Sequence, residues 1–134
     1  MTDSSAATTN STVAGNPYPI TAAIGTLSAD NYDFNFVNGT LTITSYVLTV
    51  VAGDASRVYG QTNPVFTGTL TGVLDGDDIT ATYATIAMTN SPAGTYAIVP
   101  SLVDPDGKLT NYTVLSTNGT LTVTKATLTV TADN

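Results

Sequence analysis

Asn118-Gly119-Thr120-Leu121-Thr122-Val123-Thr124 alternates apolar and hydroxyl side chains behind an Asn-Gly pair, and an almost identical run stands at Asn38-Gly39-Thr40-Leu41-Thr42-Ile43-Thr44. Strict alternation is the period of a strand with one face in a core. Asn-Gly is the strongest short-range signal for a two-residue type I′ turn, in which both residues need φ > 0. The pattern predicts a hairpin at each site. In the first, Val37 faces Thr40, Phe36 faces Leu41 and Phe34 faces Ile43, so that Tyr32, Phe34, Phe36, Leu41 and Ile43 share the inner face. In the second, Tyr112, Val114, Leu121 and Val123 face inward and Thr113, Thr120, Thr122 and Thr124 outward.

The two runs lie 80 residues apart, and so do Asn31-Tyr32 and Asn111-Tyr112, Leu48-Thr49-Val50 and Leu128-Thr129-Val130, and Thr9-Asn10-Ser11 and Thr89-Asn90-Ser91. Tyr18 and Tyr96 are 78 apart, so small indels separate the copies. Internal repetition at a fixed period marks a repeat architecture. A chain of 134 residues does not hold two such copies. The reading is the C-terminal half of one repeat at 1–45, a complete repeat at 46–125, and the first strand of a following repeat at 126–134.

Helical periodicity is absent. Strands are expected at Val47–Ala52, Val65–Leu70, Thr80–Ile86 and Thr95–Pro100, with turns at Asp75-Gly76-Asp77-Asp78 and Asp104-Pro105-Asp106-Gly107. Short strands at this spacing predict an all-β fold built from antiparallel, sandwich-like units, with an Ig-like or β-grasp-like sheet.

Composition narrows function further. The chain has 28 Thr and no Cys, His, Trp or Glu, and its net charge is −7. A thiol nucleophile, a Ser–His–Asp triad, a thiolate or imidazole zinc site and a disulfide framework are all excluded. Three basic residues cannot neutralise a phosphate backbone, so no nucleic-acid partner is expected. No apolar run approaches the ~20 residues of a membrane span, and Met1-Thr2-Asp3-Ser4-Ser5 has no signal-peptide pattern. The apolar fraction of 42% suffices for a core, and Thr in place of charge suits the outer face of a pleat.

The ordered set Val58-Tyr59-Gly60-Gln61-Thr62-Asn63-Pro64, Thr71-Gly72-Val73-Leu74-Asp75-Gly76-Asp77, Ser91-Pro92-Ala93-Gly94-Thr95-Tyr96, Asn111-Tyr112 and Asn118-Gly119-Thr120-Leu121-Thr122-Val123 resembles the MBG domain of YGX type. Residues 46–125 resemble one complete copy, and 11–45 the second half of a sister copy. The resemblance implies a tandem repeat module of large bacterial surface or adhesin-like proteins, extracellular and on the cell surface. It carries over no catalytic residue, and an enzyme is not expected.

Asp75, Asp77 and Asp78, and separately Asp104 and Asp106, are calcium-ligand candidates, because Ca²⁺ takes six to eight oxygen ligands. The same residues are ordinary turn formers, and no EF-hand spacing is present. No other cofactor is indicated. Tyr18, Tyr59, Tyr83 and Tyr96 fit either a sugar platform or core residues with a satisfied hydroxyl. Lys108 and Lys125 are the lysines an isopeptide bond would require.

Two functions follow. One is a stalk or spacer whose short link, Thr124-Lys125-Ala126-Thr127-Leu128, lacks Gly and Pro and restrains successive units. The alternative is a module that itself binds a glycan or protein, with or without calcium. The expected partners are neighbouring repeats or other copies of the chain, with no membrane insertion. Roughly 45 residues are too few to close a core, so the half repeat should present an open edge. Leu128 and Val130 are the expected subunit contact, adding a strand to the half repeat of another copy.

Overall fold

The computed structural model describes residues 2–133. It is all-β: the helical elements among these residues are two 3-10 turns, Val13–Gly15 and Lys108–Asn111. The chain divides into two compact units, one of Met1–Tyr46 with Thr110–Tyr112, the other of Val47–Leu109 with Thr113–Asn134.

The stretch read as a complete copy, 46–125, contains strands β4 (Tyr46–Ala52), β5 (Ala55–Val58), β6 (Gly68–Thr71), β7 (Thr80–Ala84), β8 (Gly94–Val103), β9 (Tyr112–Thr117) and β10 (Gly119–Thr124). They form a four-stranded sheet, β5-β10-β8-β7, and a three-stranded sheet, β6-β4-β9. Every pairing with a register is antiparallel except β5 with β10, which is parallel. The alternation read from the sequence decides what is buried. Leu48, Val50 and Ala52 point inward from β4, Leu121 and Val123 from β10, and Ile98 from β8. Ala52 of the smaller sheet meets Ile98, Leu121 and Val123 of the larger one in a single apolar cluster, with Phe66, Tyr83 and Tyr96 against it. Two sheets sharing inward faces is the sandwich arrangement. The turns at Asp75-Gly76 and Pro105-Asp106 form as read, with Gly76 and Gly107 supplying φ of 89° and 68°.

The first unit holds one sheet of β1 (Thr2–Ser5), β2 (Tyr18–Ala23) and β3 (Gly39–Leu41), in the order β1-β2-β3. Its internal registers coincide with those of the complete copy. Tyr18↔Leu41 becomes Tyr96↔Leu121, and Ile20↔Gly39 becomes Ile98↔Gly119. Ser4↔Thr21 becomes Ala84↔Val99. The turn before β2 recurs as well: Thr8 N–H donates to Ser11 Oγ at 2.8 Å and Met88 N–H to Ser91 Oγ at 2.8 Å. Thus β1, β2 and β3 correspond to β7, β8 and β10.

The expected hairpins do not form. β9 and β10 lie in different sheets, and β3 pairs with β2 while residues 32–38 make no strand. Positive φ occurs at Gly25, Gly60, Gly72, Gly76 and Gly107, so neither Asn-Gly pair adopts a type I′ turn. The reason is tertiary. A hairpin would place both strands in one layer, whereas the core needs one from each. Gly119 is instead a crossing point: a Cβ there would run into Gly53 O and lie 2.8 Å from Ala52 O. The inward set also needs correction. Tyr112, Leu121 and Val123 are buried, but Val114 is exposed, because β9 is an edge strand left uncovered beyond Tyr112. In the first copy Tyr32, Phe34 and Leu41 are exposed and Phe36 and Ile43 half-buried. Of residues 126–134, read as the opening strand of a next repeat, 126–133 make no strand, and Asn134 lies outside the described residues.

Candidate functional site

The aspartates do not converge. Among the described residues no group of three acidic side chains is placed to hold a metal ion. Asp75 and Asp77 lie in the β6–β7 turn, closed by the Asp77 N–H donating to Leu74 O at 3.1 Å, and Asp78 directly follows it. Asp104 has a structural task. Its carboxylate accepts the N–H of Leu109 at 2.8 Å and of Lys108 at 2.9 Å, capping the 3-10 turn. The Leu109 N–H does most to hold this carboxyl below its ordinary range; partial desolvation opposes it, and the N–H groups of Lys108, Gly107 and Asp106 assist. Asp106 is exposed beside it.

A polar node that the sequence reading missed lies at the start of the complete copy. Arg57, on the inward phase of β5, is buried. Its guanidinium donates to Asn63 Oδ1 at 2.6 Å, to Val58 O at 3.4 Å and to Met88 O. Asn63 Nδ2 in turn donates to Ala87 O at 2.7 Å. The Tyr59-Gly60-Gln61-Thr62-Asn63 run therefore clips the 85–90 loop to β5, and Gly60 N–H reaches Thr89 O at 3.3 Å. The signal available was the chain's single Arg, six residues before an Asn. With its donors directed to an amide and carbonyls, the node fixes backbone; it holds no nucleophile.

The tyrosines behave as packed residues with a bound hydroxyl. Tyr18 Oη donates to Thr12 O and Tyr96 Oη to Pro92 O, both at 2.8 Å. Tyr83 and Tyr96 lean on the core cluster, while Tyr59 is exposed. Lys125 is exposed, far from the burial an isopeptide bond requires.

The most distinctive surface belongs to the half copy. Phe34 and Phe36 stack at 6.2 Å and 19°. With Ile24, Leu27 and Tyr32 they line an open groove of about 480 Å³. At the matching position of the complete copy, Tyr112 is buried and packs edge-on against Tyr46 at the head of β4, with ring centroids 6.5 Å apart. The complete copy has its own shallow groove of about 490 Å³ over β7 and β8, lined by Ala84, Ile86, Tyr96 and Val99.

The described residues thus form an all-β, sandwich-like fold in which Asp104 caps a turn. Residues 48–122 match the family model of the MBG domain (YGX type), and the chain belongs to that family. No curated protein and no solved structure matches it.

Proposed function

We propose that the chain is a structural stalk or spacer module of an extracellular, adhesin-like bacterial surface protein, in which copies follow one another head to tail. The observation that carries this reading is the coincidence of strand registers between the half copy and the complete copy. The same backbone pairings recur at offsets of 78 and 80 residues, which is what an array of one repeated unit produces. Family membership supports the same reading, because the family is one of structural repeats and not of enzymes. Among the described residues no helix is long and apolar enough to cross a membrane.

Mechanically, residues 46–125 bury a core of their own, and Thr124-Lys125-Ala126-Thr127-Leu128 leads on from it without Gly or Pro. Such a link restrains the hinge. The binding-module alternative draws on the exposed aromatics Tyr32 and Phe34, whose counterparts are the buried Tyr112 and the exposed Val114.

The test is a glycan array probed with the chain in millimolar Ca²⁺ and in chelator, run beside thermal unfolding under both conditions. The stalk reading expects no specific spots and a melting temperature unchanged by Ca²⁺. Specific binding, or a calcium-dependent rise of several degrees, would replace it with the binding module and bring Asp75, Asp77, Asp78, Asp104 and Asp106 back as ligands.

A further inference from the structure

The chain enters the stretch 46–125 through β4 and leaves it at Thr124, the last residue of β10. Between β4 and β5 it does not turn back. Gly53 has no positive φ, and its N–H donates to Thr67 O at 2.8 Å, which carries the register Ala52↔Gly68 one residue further. Asp54 alone then leads into β5, so β4 and β5 form one run that passes from the smaller sheet to the larger. β9 and β10, separated only by Asn118, pass between the same two sheets.

In the larger sheet the two runs meet as parallel neighbours, with Leu121↔Ala55, Thr122↔Ser56, Val123↔Arg57 and Thr124↔Val58. The ladder is fastened beyond both ends. Upstream, Asp54 Oδ1 accepts the Thr120 N–H at 2.7 Å. At the exit, the Tyr59 N–H donates to Thr124 O at 2.8 Å and the Thr124 hydroxyl to Arg57 O at 3.3 Å. The buried Arg57 anchors β5 in turn, through Asn63 and Met88 O.

Tension between the chain before β4 and the chain after β10 draws β5 toward its N-terminal end and β10 toward its C-terminal end. Because these two strands are parallel, the pulls oppose each other along the strand axis. The ladder is then loaded in shear. Its hydrogen bonds, each modest by itself, must yield together and not one after another. We propose that the β5–β10 ladder, closed by Asp54 at one end and Tyr59 at the other, is the mechanical clamp of the module, the site that resists tension along the chain. The inference rests on the stalk reading above, for which tension is the working condition.

The experiment is single-molecule stretching of the full chain, recording the rupture that opens the fold of residues 46–124. Forced unfolding is governed by the unfolding rate and not by equilibrium stability, so two pulling axes on one fold isolate the geometry. The chain has no Cys, and Gln61 and Lys125 are exposed at the exit end of the ladder. Handles on Gln61→Cys/Lys125→Cys peel the pairs apart singly, whereas handles on the two chain ends shear them. Rupture from the chain ends is expected at a severalfold higher force.

A backbone variant tests the same bonds. Tyr59 precedes Gly60, with φ of 85°, in a turn closed by the Gln61 N–H donating to Val58 O at 3.1 Å. The residue before the positive-φ glycine of such a turn accepts proline. Tyr59→Pro therefore removes the N–H given to Thr124 O and keeps the turn, whereas Tyr59→Ala keeps both. Along the chain axis Tyr59→Pro should rupture at a lower force than Tyr59→Ala. Equal forces on the two axes overturn the proposal, as do equal forces for the two variants along the chain axis. If either result appears while glycans and Ca²⁺ remain without effect, the clamp falls and the stalk reading stands. Specific glycan binding overturns the stalk reading and leaves the rupture forces to decide the clamp.

Discussion

The half copy and the complete copy put nearly the same residues into two environments. Ile98, Leu121 and Val123 are buried in the complete copy, whereas their counterparts Ile20, Leu41 and Ile43 are half-buried or exposed. The strand pairings around them coincide. What differs is the second layer: β4 and β6 stand over the core of residues 46–125, whereas the described residues of 2–45 form a single sheet. Register is thus a property of the sequence within one sheet, and burial a property of the neighbouring sheet. Fully burying one Leu, Ile or Val side chain is worth roughly 1.5–3 kcal/mol, so Leu48 and Val50 alone account for several kcal/mol that the half copy lacks.

The sharpest way to break the comparison is to truncate the same side chain in both copies. Leu121→Ala, at a site with 0% exposure, is expected to cost about 2–5 kcal/mol. Leu41→Ala, at 40% exposure, should shift the main unfolding transition by no more than about 1 kcal/mol. Urea denaturation of the two variants decides; equal losses would mean that the half copy has a closed core of its own.

Glycine offers a second paired test. Gly119→Ala drives a Cβ into the Gly53 carbonyl and should cost about 1–3 kcal/mol. At Gly39 the new Cβ meets only Ile20, at 3.7 Å, and φ is not positive. There the substitution should be neutral or gain a few tenths of a kcal/mol through reduced freedom of the unfolded chain. Thermal melts of both variants check it, and a destabilised Gly39→Ala would restore a positive-φ turn.

Arg57→Met tests the node for which the half copy has no counterpart. Leaving Asn63 Oδ1 and Met88 O without their donor should cost about 1–3 kcal/mol and raise hydrogen exchange in the 85–90 loop. A variant as stable as the parent, with that loop still protected, would assign the clip to Asn63 alone.

The smallest effect is expected at Asp104. Its folded-state pKa lies below the unfolded one, so its contribution is present above the unfolded value, near about 4, and is lost as pH falls through the lower folded value. Asp104→Asn should flatten the fall of melting temperature in that acid window and leave the slope near neutrality unchanged. An identical acid slope in both proteins would show that the carboxylate makes no pH-linked contribution.

Much of this fold is written in the alternation of the chain. The inward phases of Leu48, Val50, Leu121 and Val123, the strands over 47–52 and 95–100 and both Asp-Gly turns follow from period-two burial and from the positive φ that glycine tolerates, whereas the strand expected at Val65–Leu70 starts only at Gly68 and the one expected at Thr80–Ile86 ends at Ala84. The absence of a triad or zinc site follows from composition alone. Partner choice was not legible. Asn118-Gly119 carries a local hairpin preference worth only a little, and the gain from placing β9 and β10 in separate layers of one core overrides it. Arg57 reads as a surface residue until the carbonyls of the 85–90 loop come round to meet it. Likewise Tyr32–Val37 has the pattern of a strand and is not one, since a strand needs a neighbour to take its hydrogen bonds. The sequence by itself determined which side chains seek burial and in what phase. Only the tertiary structure decided which of them obtain it, because burial and pairing depend on surfaces brought together from distant parts of the chain.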